Sequence, residues 1–294
     1  MARPYDLINY NSKSGTYTEI LKTLSLVVPD FDTSYLKNVY SDIICLFNGD
    51  YPGYRASNTK YHNLEHTCSV TLATARLIHG LHVQGKRFSS PVILLGLVGA
   101  LFHDTGLIQR EEERGGTGAQ YTIGHEERSV ELMGKYLTSG GFSAEDINDC
   151  GNIILSTNLN LTLGEISFRS DETRSMGRVV GSADLIAQMA DRNYLEKLPL
   201  LFLEFKEARM SGFVTPLELF KNTGEFYHSV VRTRLTKEMG NVSSAALFHF
   251  KERWGIDRDL YAEAITNNIK YMTRIYDDCA ESFDCVLKKI RRKI

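Results

Sequence analysis

Two of the eight histidines, His62 and His66 in the segment YHNLEH, stand four residues apart. In a helix that spacing puts both imidazoles on one face about one turn apart, where they can converge on a single site. The segment LVGALFHDTGL places His103 and Asp104 at the end of a strongly apolar run, followed by Thr105 and Gly106. An imidazole and a carboxylate are costly to bury there without partners, and one cation satisfies both. In YTIGHEERSVELM, His125 and Glu126 open an amphipathic helix. The helix dipole accounts for Glu126 and Glu127 at that position but not for His125. Asp184 lies in the small, apolar stretch VVGSADLIAQMADR, a setting in which a carboxylate is mostly paired or bound to a metal. Each piece also has a plain structural reading: surface or capping histidines, a solvated first turn, a helix N-terminal Asp. Taken together, the residues form a candidate metal site.

The elements that must position these residues read as helices. Apolar residues recur at three-and-four spacing almost throughout, with no alternating β-branched run bounded by turn pairs, so the chain is expected to be all-α. Periodicity places helices at Tyr17 to Val27, Ser34 to Phe47, His62 to Val83, Pro91 to Ile108, Ile123 to Leu137, Ala144 to Ser156, Met176 to Asp191 and Tyr194 to Arg209. Pro91 suits a first turn, Ser143 a cap, and Pro199 should kink or restart its helix. The charged, Gly-rich segment Glu111 to Tyr121 reads as a mobile loop or lid. Two or three further helices follow Pro216, the last running from Leu260 to Ile290 with the basic tail KKIRRK matching its dipole. Tyr194, Leu198, Leu201 and Phe205 read as a packing stripe.

Composition narrows the function classes. Thirty-four basic against thirty-six acidic residues give a net charge of −2, which provides no electrostatic attraction to nucleic acid or an anionic membrane. No signal-like amino terminus and no span of roughly 18 apolar residues is visible, so a cytoplasmic protein is expected. Five cysteines without a C-x-x-C pair fit a reducing compartment: Cys45, Cys68 and Cys150 as small core hydrophobes, Cys279 and Cys285 as inert thiols. His79, His82, His228 and His249 lack acidic or imidazole neighbours at useful spacing and read as structural or surface residues.

The order His62-x-x-x-His66, His103-Asp104, His125, Asp184 along a helical chain resembles the HD-domain superfamily of metal-dependent phosphohydrolases. The YHNxxH opening is similar to that of cyclic-nucleotide phosphodiesterase catalytic domains. The resemblance covers about residues 57 to 210 and implies an HD-type helical core there, with N-terminal helices over 1–56 packed on it. A C-terminal helical extension over 211–294, whose helices are candidates to cover the site or to form a homodimer face, completes the same compact unit. It implies that His66, His103, Asp104 and Asp184 hold a first divalent metal, that Asp104 bridges to a second bound by His125, and that His62 donates a proton to the leaving oxygen. The ion would be Mn, Fe, Zn, Ni or Mg, and the substrate a small, nucleotide-like phosphate ester. Lys60, Arg110 and Arg192 are candidates to meet its phosphate, beside the plain reading of each as a solvated surface residue.

The pattern departs from the phosphodiesterases at Leu107, where they carry a further histidine, and no nucleotide-clamping glutamine stands out. Bacterial relatives often have another histidine where this chain has Asn158 or Asn160. Three rival readings accompany the hydrolase. His62-Asn-Leu-Glu65-His66 also matches the H-x-x-E-H zinc-peptidase motif. Oxidative chemistry at a di-iron site would want a fuller histidine set. A degenerate domain would bind a nucleotide or a partner without turnover.

Overall fold

A computed structural model describes residues 3–8, 13–279 and 282–290, and among these there is no strand, only an isolated antiparallel bridge between Tyr54 and Arg110. The α-helices are α1 (Lys13–Ser25), α2 (Ser34–Asn48), α3 (Leu64–Val83), α4 (Ser90–Phe102), α5 (His125–Ser139) and α6 (Ala144–Leu155). They continue as α7 (Asp171–Ala190), α8 (Tyr194–Glu207), α9 (Pro216–Phe226), α10 (Ala245–Trp254), α11 (Leu260–Cys279) and α12 (Phe283–Ile290). The expected all-α class holds. The expected caps are present too: Ser143 forms a reciprocal capping box with Asp146, and Pro91 sits in the first turn of α4.

α3 is the axis of the fold. It is buried on every side from His66 to Gly80, and it packs against α1, α4, α7 and α10. Of its buried threonines, Thr71 returns its hydroxyl to the helix backbone, donating to the Thr67 carbonyl at 2.9 Å, while the hydroxyls of Thr67 and Thr74 make no hydrogen bond. One continuous core of apolar side chains extends from Ile20 to Ile290. The stretch Ser90–Leu107 is long and apolar enough to cross a membrane by composition alone, but 83% of it is buried inside the protein.

Several expectations are corrected. The periodicity from Leu260 to Ile290 is two helices, because Ser282 caps a new start: its Oγ accepts the Cys285 N–H. Cys279 and Cys285, expected as free thiols, are joined as a disulfide between α11 and α12. The part of the basic tail from residue 291 lies outside the described residues. α8 runs through Pro199 without restarting. The segment Glu111 to Tyr121 is strapped down: the Arg128 guanidinium grips both Glu113 oxygens at 3.0 Å, the Gly118 N–H donates to Asn58 Oδ1 at 2.8 Å, and Thr117 bonds Glu207.

His79 and His249 do have imidazole company, but from distant parts of the chain. Their Nδ1 atoms are 3.2 Å apart at the buried contact of α3 with α10. Such a bond needs one donor and one acceptor, so at least one of the two rings is neutral. Burial, with repulsion from His82 and Arg253, pushes His79 down to about 4, and burial with Arg76 and His79 pushes His249 well below its ordinary value. The unfolded imidazole takes up a proton near pH 6.5 that folded His79 refuses until about pH 4. The stability from neutral His79 is therefore complete above about 6.5 and disappears as pH falls toward 4. Urea titrations at about pH 7 and 4.5 should show wild type losing on the order of 2 kcal/mol more than His79→Gln over that interval. Equal losses would count against the buried neutral pair.

Candidate metal centre

The site is built around Asp104. α4 ends at Phe102, His103 forms its C-terminal cap, and Asp104 precedes a tight turn at Thr105–Leu107. This turn is tied to α5. The Gly106 N–H donates to Ser129 Oγ (2.8 Å), the Ser129 hydroxyl donates to the His103 carbonyl (2.6 Å), and Arg128 Nε donates to the Gly106 carbonyl (2.8 Å). Glycine is needed at 106 because a Cβ there would collide with the His125 carbonyl oxygen. The close approach sets His125, the first residue of α5, beside Asp104.

Four donor atoms meet: His66 Nε2 from α3, His103 Nε2, Asp104 Oδ2, and Asp184 Oδ1 from α7. His66 lies 3.1 Å from Asp184, 3.3 Å from His103 and 3.5 Å from Asp104, while His103 lies 3.3 Å from Asp104 and 3.7 Å from Asp184. Ligands each about 2.1 Å from one ion are themselves about 3.0–3.4 Å apart. His103 Nδ1 is 2.9 Å from the Ala100 carbonyl; donating its proton there leaves Nε2 as a lone pair. Asp104 Oδ2 is buried and makes no hydrogen bond. Lone pairs and carboxylate oxygens crowded in this way repel unless a cation lies among them, so the donor set fits a divalent ion, with the buried group His66, His103 and Asp104 at its centre.

The other Asp104 oxygen, Oδ1, faces His125 Nε2 at 3.3 Å, and His125 Nδ1 donates to the Thr122 carbonyl at 2.8 Å. One carboxylate thus spans two groups of donors. The local field favours positive charge. Burial opposes protonation of His103 and His125, yet Asp104 outweighs it and raises both to about 9. Burial likewise resists ionisation of Asp104 and Asp184, but the neighbouring imidazoles lower both carboxylates. A divalent ion would replace those protons.

His62 stands apart from the donors. It was expected in the helix, one turn before His66; instead it precedes α3, because Asn63 is the N-cap and accepts the His66 N–H at 3.0 Å. Its Nδ1 lies 2.7 Å from Glu204 Oε2 on α8. The other Glu204 oxygen accepts the N–H groups of Lys60 (2.8 Å) and Tyr61 (2.7 Å). Burial works against charge on His62, but Glu204 and Asp104 together raise its pKa above the ordinary value. Glu204 was missed from sequence. Its signal was the one used for Asp184, a carboxylate inside an apolar run, here LPLLFLEF.

His62, Asp104, His125 and Asp184 all line one cavity of about 400 Å³. Tyr194, Leu198, Leu201 and Phe205, expected as a packing stripe, form part of its wall: the inner face of α8 crosses the site rather than meeting another helix along its whole length. The expected phosphate contacts are not brought in. Lys60 and Arg192 are exposed, Arg110 pairs with Glu131 at 2.8 Å, and none of the three lines the cavity. Asn158 Oδ1 accepts the Asn160 N–H at 2.8 Å, closing its own turn, while Asn160 reaches the cavity. Glu65, the general base in the zinc-peptidase reading, is exposed and pairs with Lys197 at 3.3 Å.

Residues 30–247, or 218 of the 294, match the profile of the Npun_R2479-like family. The chain belongs to the Npun_R2479-like family. No curated protein matches it. The span that this Npun_R2479-like chain shares with the family profile holds every donor of the cluster, His62 with Glu204, and the whole cavity lining.

Two variants test the centre. Asp104→Ala should lose the metal that wild type retains when purified without chelators, read by elemental analysis; metal retained in the variant would refute the donor set. Gly106→Ala should destabilise the fold by about 1–3 kcal/mol through overpacking against α5, and an unchanged urea midpoint would show that the close approach is not required.

Proposed function

We propose that this Npun_R2479-like protein is a metal-dependent phosphohydrolase of the HD type, acting on a phosphomonoester or phosphodiester. One observation carries the reading: Asp104 offers one oxygen to the His66, His103 and Asp184 group and the other to His125, while His62 stands on the wall of the same cavity. A divalent ion bound there would supply Lewis acidity to a phosphoryl oxygen and lower the pKa of water. Imidazole and carboxylate donors suit Mn, Fe, Zn or Ni better than Mg.

The side chains divide the remaining work. His66, His103, Asp104 and Asp184 hold the ion, and Asp104 with His125 offers a further position. His62, tied to Glu204 through Nδ1, has Nε2 free to give a proton to the leaving oxygen. Glu204 is a positioning residue: it fixes the ring and favours its protonated form.

The test is phosphate or phenolate release from p-nitrophenyl phosphate and bis(p-nitrophenyl) phosphate by the full chain loaded with Mn, Fe or Zn. On phenyl phosphate, whose poorer leaving group needs the proton, His62→Gln should keep its metal and lose about 10²–10⁴-fold in kcat, and Glu204→Gln about 10–100-fold with little change in KM; on the p-nitrophenyl esters both losses should be smaller. Bound metal without turnover of either ester would replace the hydrolase with a binding module.

A further inference from the structure

The cavity that reaches the metal centre has the wrong lining for a polar, highly charged substrate. Among the described residues no Lys or Arg lines it. The part of its wall away from the centre is mainly apolar: Leu198, Leu201 and Phe205 come from α8, and Phe213, Leu219 and Phe226 from the segment leading into and through α9. The polar groups beside them, Gln188 and Asn222 among others, are uncharged except for the acids and histidines of the centre and Glu126, which lies beside His125. The rim carries a second, independent sign. Leu159, Met210 and Val230 are 41%, 38% and 40% exposed, and all three line this cavity. Large apolar side chains left in water at the mouth of a pocket mark an entry for an apolar molecule.

In the part walled by Leu198, Leu201, Phe205, Phe213 and Phe226 a nucleoside or sugar would set hydroxyls and ring amides against hydrocarbon, which disfavours it there. An alkyl or aryl body would instead release water from both surfaces. We propose that the site takes a phosphate ester of an apolar alcohol, with the phosphate at the metal centre and the alcohol's hydrocarbon body in the α8–α9 chamber.

This rests on the phosphohydrolase reading and specifies its substrate. In the reaction, water oxygen bonds to phosphorus and the bond from phosphorus to the alcohol oxygen breaks. The departing alcohol takes a proton from His62, one water proton restores His62, and the other stays on the inorganic phosphate.

Two series separate the substrate class from the chemistry. Hexyl, octyl and decyl phosphate are compared with AMP and glucose 6-phosphate as substrates of the Mn-loaded full chain. Alkylphosphonates of the same lengths, which cannot be hydrolysed, are titrated into the same protein by calorimetry. The expected result is kcat/KM and phosphonate affinity rising about three- to fourfold per methylene until the chamber is full, with Leu201→Gln flattening that slope in both measurements. Affinity that rises with chain length without any turnover supports the apolar ligand and overturns the hydrolase. AMP or glucose 6-phosphate turned over as well as the alkyl series, with no dependence on chain length, overturns the inference and leaves the hydrolase standing. No binding and no turnover overturns both.

Discussion

The constraint on which this structure turns is the burial of Asp104. A carboxylate 4% exposed at the end of the most apolar helix among the described residues would cost several kcal/mol without compensation. Three imidazoles around it supply positive charge or directed donors. His103 is its sequence neighbour, His66 arrives from the central helix, and His125 arrives because Gly106 lets the start of α5 come close. The second-layer bonds serve the same end: carbonyls of Ala100 and Thr122 hold the Nδ1 atoms of His103 and His125, so both rings present Nε2 inward. Rings fixed in this way toward one carboxylate are a preorganised receptor for a cation.

Local features of this arrangement were legible in the sequence, and for physical reasons. A histidine and an aspartate after an apolar run, or an aspartate among glycine and alanine, violate the expected pattern of burial, and such violations are visible without any knowledge of contacts. The helical class was legible because periodicity is a local property of the chain. The position of His62 was not, since whether a helix begins at residue 62 or 64 depends on one capping bond from Asn63, and helix boundaries are the least determined part of a periodic pattern.

What the sequence did not disclose depends on pairing across long stretches of chain. Glu204 reaches His62 over 142 positions, and His249 meets His79 over 170. The stripe from Tyr194 to Phe205 has the same spacing whether it faces a helix or a cavity, so periodicity could not tell packing from lining. The misplacement of Lys60, Arg110 and Arg192 has the same origin. A basic residue near a motif in sequence can point to solvent or to a carboxylate elsewhere, as Arg110 does toward Glu131.

The C-terminal helices gain a role from this geometry. α7 carries Asp184 and then ends at Ala190, leaving carbonyls that need donors. Asn268 on α11 supplies them, its Nδ2 donating to the carbonyls of Met189 (2.9 Å) and Asp191 (3.0 Å). α11 also packs on α9, where Met272 fills the space beside Gly224. The same helix therefore braces the strut that presents the Asp184 carboxylate and the wall of the apolar chamber. The polar floor and the apolar chamber are thus held in register by an element that contributes no side chain to either.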